Sequence, residues 1–120
     1  VDYFDLNFVG IPGIIATALI HGPGGVAIVD PGPTTALPVV EAALKARGFG
    51  WRDVTAILLT HIHLDHAGAT GSILKLAPQA RVFVHERGAP HLVDPSKLLA
   101  SASRLYQHLM ETLWGDVLPV

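Results

Sequence analysis

The sequence predicts a mixed domain of the α/β or α+β class, on three observations. Apolar, β-type runs at 13–20, 25–29, 55–59 and 81–85 alternate with segments of helical apolar spacing at 36–47 and beyond Pro95. The run Thr55-Ala-Ile-Leu-Leu59 is almost continuously apolar, the mark of a strand buried on both faces. The 120 residues suit one domain and not two, so 1–120 is read as a single unit.

Residues 5–9 alternate loosely and read as a short strand. Strands at 13–20 and 25–29 flank His21-Gly22-Pro23-Gly24, a turn by composition, so they form a hairpin. No helix start with a Lys follows those glycines, which sets them apart from a phosphate-binding loop. After Asp30-Pro31-Gly32-Pro33, Thr34 or Thr35 can cap a helix over 36–47, with Leu37, Val40 and Leu44 on one face and Arg47-Gly48 at its end. Next come the strand at 55–59, a short helix at 66–76 stopped before Pro78, and a strand at 81–85. Asp94-Pro95 opens a last helix, Asp as N-cap, whose face is marked by Leu98, Ala102, Leu105, Leu109 and Leu113 up to Gly115. Its polar side is not notably basic, so it reads as a packing helix and not a membrane anchor.

Composition narrows the function classes. The net charge is −2 with no basic stripe, so nucleic acid is not an expected partner. There are no cysteines, which leaves His, Asp and Glu as the metal ligands available. No apolar run reaches the roughly 18 residues that span a bilayer. The start Val1-Asp2-Tyr3-Phe4-Asp5 shows no signal peptide, giving an expectation of a cytoplasmic protein, and its lack of Met one of a chain cut from a longer one. The mean hydropathy of +0.45 is high for so small a domain and implies a large core or an apolar surface awaiting a cover.

The chemistry is concentrated in Thr60-His61-Ile62-His63-Leu64-Asp65-His66-Ala67-Gly68. Three histidines and an aspartate fall within 61–66, just past the buried strand. In an extended segment residues two apart share a side, so His61 and His63 can hold one ion together. A helix start near His66 turns the chain and lets Asp65 and His66 reach a second ion. Zinc suits imidazole and carboxylate donors, and manganese or iron(II) could use the same set. A bound divalent ion lowers the pKa of its water toward about 7, and Asp65 is the candidate catalytic residue that would hold the nucleophile. Gly68 and Gly71 are read as leaving room for backbone beside the site. His85 and His91, after the 81–85 strand, are possible cleft residues. Trp51 and Trp114 are read as core or interface.

His61-x-His63-x-Asp65-His66 resembles the signature of the metallo-β-lactamase superfamily, which includes glyoxalase II, lactonases and ribonucleases. Ile28-Val29-Asp30-Pro31-Gly32 resembles that family's strand-end Asp-x-Gly, and the stretch 84–95 resembles a subgroup of bacterial hydrolases. The resemblance implies an αββα sandwich of which this chain is the first αβ half, and a dinuclear zinc hydrolase acting on an ester, thioester, lactone or similar bond of a small-molecule substrate. It implies His61 and His63 on one metal, Asp65 and His66 on the other, and Asp30 supporting the loop from behind. It also implies that a third His, a bridging Asp and a last His come from a later half. The alternative is a non-catalytic metal-binding half-domain that needs a partner copy or that half. In the full sandwich one face of this sheet is covered by the other sheet, so a homodimer, or association with the missing half, is expected.

Overall fold

The computed structural model describes all 120 residues. Five strands form one sheet in the sequential order β1 to β5. β1 (Asp2–Asp5), β2 (Ala16–Gly22) and β3 (Gly25–Val29) are antiparallel neighbours, and β4 (Val54–Leu58) and β5 (Arg81–Phe83) continue parallel to β3. The helices are α1 (Leu37–Ala46), α2 (Leu64–Ala67), α3 (Thr70–Leu76), α4 (Ala89–Val93), α5 (Ser96–Tyr106) and α6 (Met110–Trp114), with short 3-10 turns at Phe8–Gly10, Thr34–Ala36, Trp51–Asp53 and Gln107–Leu109. None is long and apolar enough to cross a membrane.

The two faces of the sheet differ. Alternation and register put Leu19, Ile28 and Ile57 side by side on one face, fully buried in a single core with Val40 and Leu44 of α1 and Ile73 of α3. The other face carries Tyr3, Ala18, Val29 and Leu58 across four strands. It meets solvent: Tyr3 is 80% exposed, Ile20 42% and Phe83 46%. β4, expected to be covered on both sides, is covered on one.

Several boundaries shift for local reasons. The strand expected at 5–9 lies at Asp2–Asp5, because the Asp5 carboxylate accepts the N–H groups of Asn7 (2.7 Å) and Gly13 (2.5 Å) and turns the chain. Asn7 and Val9 accordingly hold positive φ, and β2 begins only at Ala16. The hairpin turn shortens to Pro23-Gly24, with Gly22 paired to Gly25. Thr34 and Thr35 do not cap α1. Their hydroxyls donate to the carbonyls of Asp116 (2.5 Å) and Leu113 (2.7 Å), fastening the C-terminal segment, while Pro38 occupies the first turn of α1. Gly48, at φ +80°, ends that helix as expected.

The helix expected at 66–76 starts earlier, at Leu64, and divides after Ala67, because the N–H of Ala69 leaves the helical ladder for the carbonyl of Gly32 (2.8 Å). The single helix expected from Asp94 to Gly115 is two helices, broken at Gln107, where φ is +48° and ψ −123°. The N-cap position is Pro95 and not Asp94, whose carboxylate accepts the Ser96 N–H and hydroxyl just ahead of the helix. The face predicted for it buries only in part: Leu98, Ala102 and Leu113 pack against the core, while Leu105 is 77% and Leu109 43% exposed, and no residue of α5 is fully buried. Gly71 leaves room for the backbone of Leu118 and not for the site.

Candidate metal centre

The cluster stands where β3 and β4 end side by side. Backbone pairing carries one residue beyond the strands, the Asp30 N–H donating to Leu58 O at 3.0 Å. The chain then turns sharply at Asp30, which adopts φ +49°, a left-handed conformation that Asp tolerates better than most residues. This brings the Asp30 carboxylate, only 8% of the residue exposed, across to the end of β4. Its Oδ1 accepts the backbone N–H of Thr60 at 2.8 Å and its Oδ2 accepts the Thr60 hydroxyl at 2.6 Å. Thr60 Oγ1 also lies 2.9 Å from His61 Nδ1. A buried carboxylate therefore fixes the residue before the first histidine. Thr60 was not singled out, although its place between a strand end and a ligand run was a signal.

Gly32 fixes the other end of the loop. Its N–H donates to His66 O at 2.9 Å and its carbonyl receives Ala69. It sits at φ +85° with no space for a side chain, since an added Cβ would overlap Leu6. Gly68 is equally confined, because a Cβ there would lie 2.6 Å from Leu64 O and 3.4 Å from Pro33.

Donor atoms of His61, His63 and Asp65 lie within 4.8 Å of one another, and so do those of Asp30, His61 and His66. The ring centroid of His61 is 4.9 Å from that of His63 and 4.3 Å from that of His66. His66 Nε2 lies 3.2 Å from Asp65 Oδ2. His61 is thus central to one continuous cluster. The expected division into His61 with His63 and Asp65 with His66 is not drawn by the geometry, since Asp65 stands against both. Asp30 is near enough to be a ligand, but both its oxygens already accept hydrogen bonds from Thr60, which favours its supporting role.

The donor set fits a divalent metal. Imidazole nitrogens and carboxylate oxygen are zinc's usual non-thiolate ligands. His66 Nδ1 is buried without a hydrogen-bond partner, its nearest acid, Asp30 Oδ2, being 3.4 Å away and out of line. Such an orphaned atom is unusual in a finished core.

A cleft of about 400 Å³ opens beside the cluster. His63, Leu64 and Asp65 form one side, and Leu98, Ala102, Leu105, Tyr106 and Trp114 the other. Its second wall thus comes from α5 and α6, and neither His85 nor His91 lines it or joins the ligand groups. His85 Nδ1 instead accepts the Arg87 N–H at 3.1 Å, and His91 lies in the last turn of α4. Trp114 is buried, stacked on Phe8 with centroids 5.5 Å apart, and Trp51 is half-buried against the core.

Comparison with known proteins agrees with this architecture. A family model described as the metallo-beta-lactamase superfamily matches residues 10–116. A hydroxyacylglutathione hydrolase of Buchnera aphidicola is 32% identical over 87 residues, 72% of this chain and 32% of that protein. One of Salmonella paratyphi A is 39% identical over 80 residues, 63% of this chain and 30% of that protein. Among solved structures, the subclass B3 metallo-beta-lactamase BJP-1 of Bradyrhizobium japonicum superposes with TM-score 0.61 at 30% identity, over 66% of this chain and 30% of that one. The metallo-beta-lactamase SMB-1 gives 0.62 at 35%, over 67% and 31%. The chain therefore spans about a third of the length of the relatives it matches.

Proposed function

Because the chain belongs to the metallo-β-lactamase superfamily, whose matched members are hydrolases, we propose that it carries the first half of a dinuclear zinc site that hydrolyses an ester, thioester, lactone or related bond. The observation that carries this reading is the clustering of four ligand-type side chains, His61, His63, Asp65 and His66, on a loop locked at both ends by Asp30 and Gly32. Zinc bound there would polarise a carbonyl and bring the pKa of water toward about 7.

The chain's own residues supply position and proton handling. His61 and His63 would offer neutral imidazole nitrogens to the ion. Thr60 Oγ1, itself donating to Asp30, is placed to receive the His61 Nδ1 proton and so hold the tautomer that leaves Nε2 free. Asp65, half-buried beside the cleft, would orient the attacking water through its carboxylate and take its proton. His66 would complete the donor set from behind.

The second reading, a metal-binding half-domain without catalysis, rests on a specific observation. The two groupings of His and Asp are fed by only five residues, all just past the ends of β3 and β4, and the chain spans a third of its relatives. Zinc content after desalting, measured with a panel of ester, thioester and lactone substrates, separates the two. Zinc with turnover supports the hydrolase, and zinc without turnover supports the half-domain. No zinc retained by the parent chain, or no loss in His61→Ala/His63→Ala, would refute both.

A further inference from the structure

Resting on the metallohydrolase reading, we propose that the cleft beside His63 and Asp65 receives the uncharged aliphatic chain of the substrate, so that the bond cleaved is that of an acyl ester, acyl thioester or alkyl lactone, with its carbonyl toward the histidine cluster. The cleft has two unlike sides. One is the start of α2, where His63 and Asp65 flank Leu64. The other is largely apolar, made of Leu98, Ala102 and Leu105 along α5, with Ser101 among them, and the rings of Tyr106 and Trp114, which meet edge to face at 5.1 Å between centroids.

Trp114 and, in part, Leu98, Ala102 and Tyr106 pack on the core, but the wall keeps apolar surface in solvent. No residue of the eleven in α5 is fully buried, and Leu105 is 77% exposed while lining the cleft. A helix that keeps apolar side chains half in water beside a polar cluster gains by covering them with a ligand. Charge selects among ligands. No Lys or Arg lines the cleft, so beyond the metal cluster it offers a charged substrate chain no cationic side chain. A substrate chain that carries free carboxylates away from the reacting carbonyl would find no Lys or Arg along this wall. About 400 Å³ lies within the range that holds one small ligand.

The proposal predicts chain-length-dependent binding without turnover. Straight-chain primary amides from propanamide to octanamide carry the carbonyl and resist hydrolysis. Titrated into the zinc-loaded chain and followed by backbone amide chemical shifts of α5 and α6, each added methylene should tighten binding about three- to fourfold until the cleft is full. Leu105→Asp, at a position exposed enough to leave the fold intact, should flatten that dependence without changing zinc content. Ala102→Trp should do the same by filling the space, and a folded spectrum with Leu105→Asp keeps the test valid if Ala102→Trp does not fold. Equal affinity across the series, or a dependence that survives Leu105→Asp, would overturn the proposal while leaving the zinc reading intact. A chain-length dependence in a chain that retains no zinc would refute the metallohydrolase reading, and with it the assignment of the cleft to a substrate's acyl chain.

Discussion

Replacing Asp30 with asparagine tests whether a buried carboxylate, and not the histidine run alone, builds the metal centre. Asparagine tolerates positive φ as well as aspartate does, so the turn at φ +49° survives and the change is confined to the carboxylate. Two hydrogen bonds are at stake, at 2.8 Å from the Thr60 N–H and 2.6 Å from its hydroxyl. Hydrogen bonds to a charged group contribute about 1.5–3 kcal/mol each, but the amide keeps one acceptor and exposed Thr60 can turn to water. The net loss should be about 1–2 kcal/mol, a fall in Tm of roughly 4–12 °C for a domain of this size. The effect on metal should be larger in proportion. Removing the groups that orient ligands typically costs about 10- to 100-fold in affinity. Chemical denaturation of metal-free protein measures the first quantity and competition with a chelating dye the second. Asp30→Gly, which relieves the left-handed turn but removes the carboxylate, should weaken zinc at least as much. Unchanged zinc affinity in both variants, with the metal-free fold intact, would refute the claim that Asp30 organises the site.

Four further outcomes are expected. The His61→Ala/His63→Ala chain should lose most of its zinc by elemental analysis, while its metal-free denaturation curve moves little. If turnover is present, Asp65→Asn should reduce it by two orders of magnitude or more in a steady-state assay, on the scale of about 10²–10⁴ for general acid–base groups, with metal-free Tm nearly unchanged. Acid should destabilise the chain through Asp2, Asp5 and Asp94. Arg47 and His21 lower the Asp2 pKa, the N–H groups of Gly13 and Asn7 lower that of Asp5, and Ser96 lowers that of Asp94, all from a usual value of 3.8. Depressed carboxylates stabilise the fold above their unfolded pKa and lose that contribution as pH falls through the folded value. Denaturation midpoints should therefore be flat above about pH 5 and fall below about pH 4, less steeply in Asp5→Asn. Finally, the solvent-facing side of the sheet should be covered by a second copy. Light scattering with size exclusion should report a dimer, and a cooperatively folded species at 12.7 kDa at micromolar concentration would refute it.

The parts of the fold legible in the sequence were those decided by neighbours along the chain. Strand β3 and helix α1 followed from apolar spacing, and the ligand run was visible because its four members are contiguous with a buried strand. What escaped depended on distant partners. Thr34 and Thr35 have the chemistry of N-caps, but Asp116 and Leu113 claim their hydroxyls from more than seventy residues away. Helix α2 parts from α3 because Gly32 draws off one N–H. Leu98 packs partly against the core as its spacing suggests, but Leu105 has the same spacing and stays exposed, and only the placement of α5 beside Asp65 makes it a cleft wall. The grouping of Asp65 with His61 and His63 likewise needed the turn into α2, which periodicity alone does not set.

The crossing of chain between Asp30 and Thr60 has a kinetic consequence. Those two residues are thirty apart in sequence, joined through α1 and the parallel pairing of β3 with β4. Closing such a loop carries an entropic penalty that must be met before any contact across it forms. The ligand run is therefore complete as a sequence well before it is complete as a shape. A synthetic peptide spanning 58–70 would hold the same histidines and Asp65 but neither the Asp30 anchor nor the Gly32 clamp. It should take up zinc in fluctuating, poorly selective ways. During synthesis, capture of the ion by an ordered cluster has to wait for the crossover to dock, so the rate of parallel strand pairing sets when the centre can first be filled.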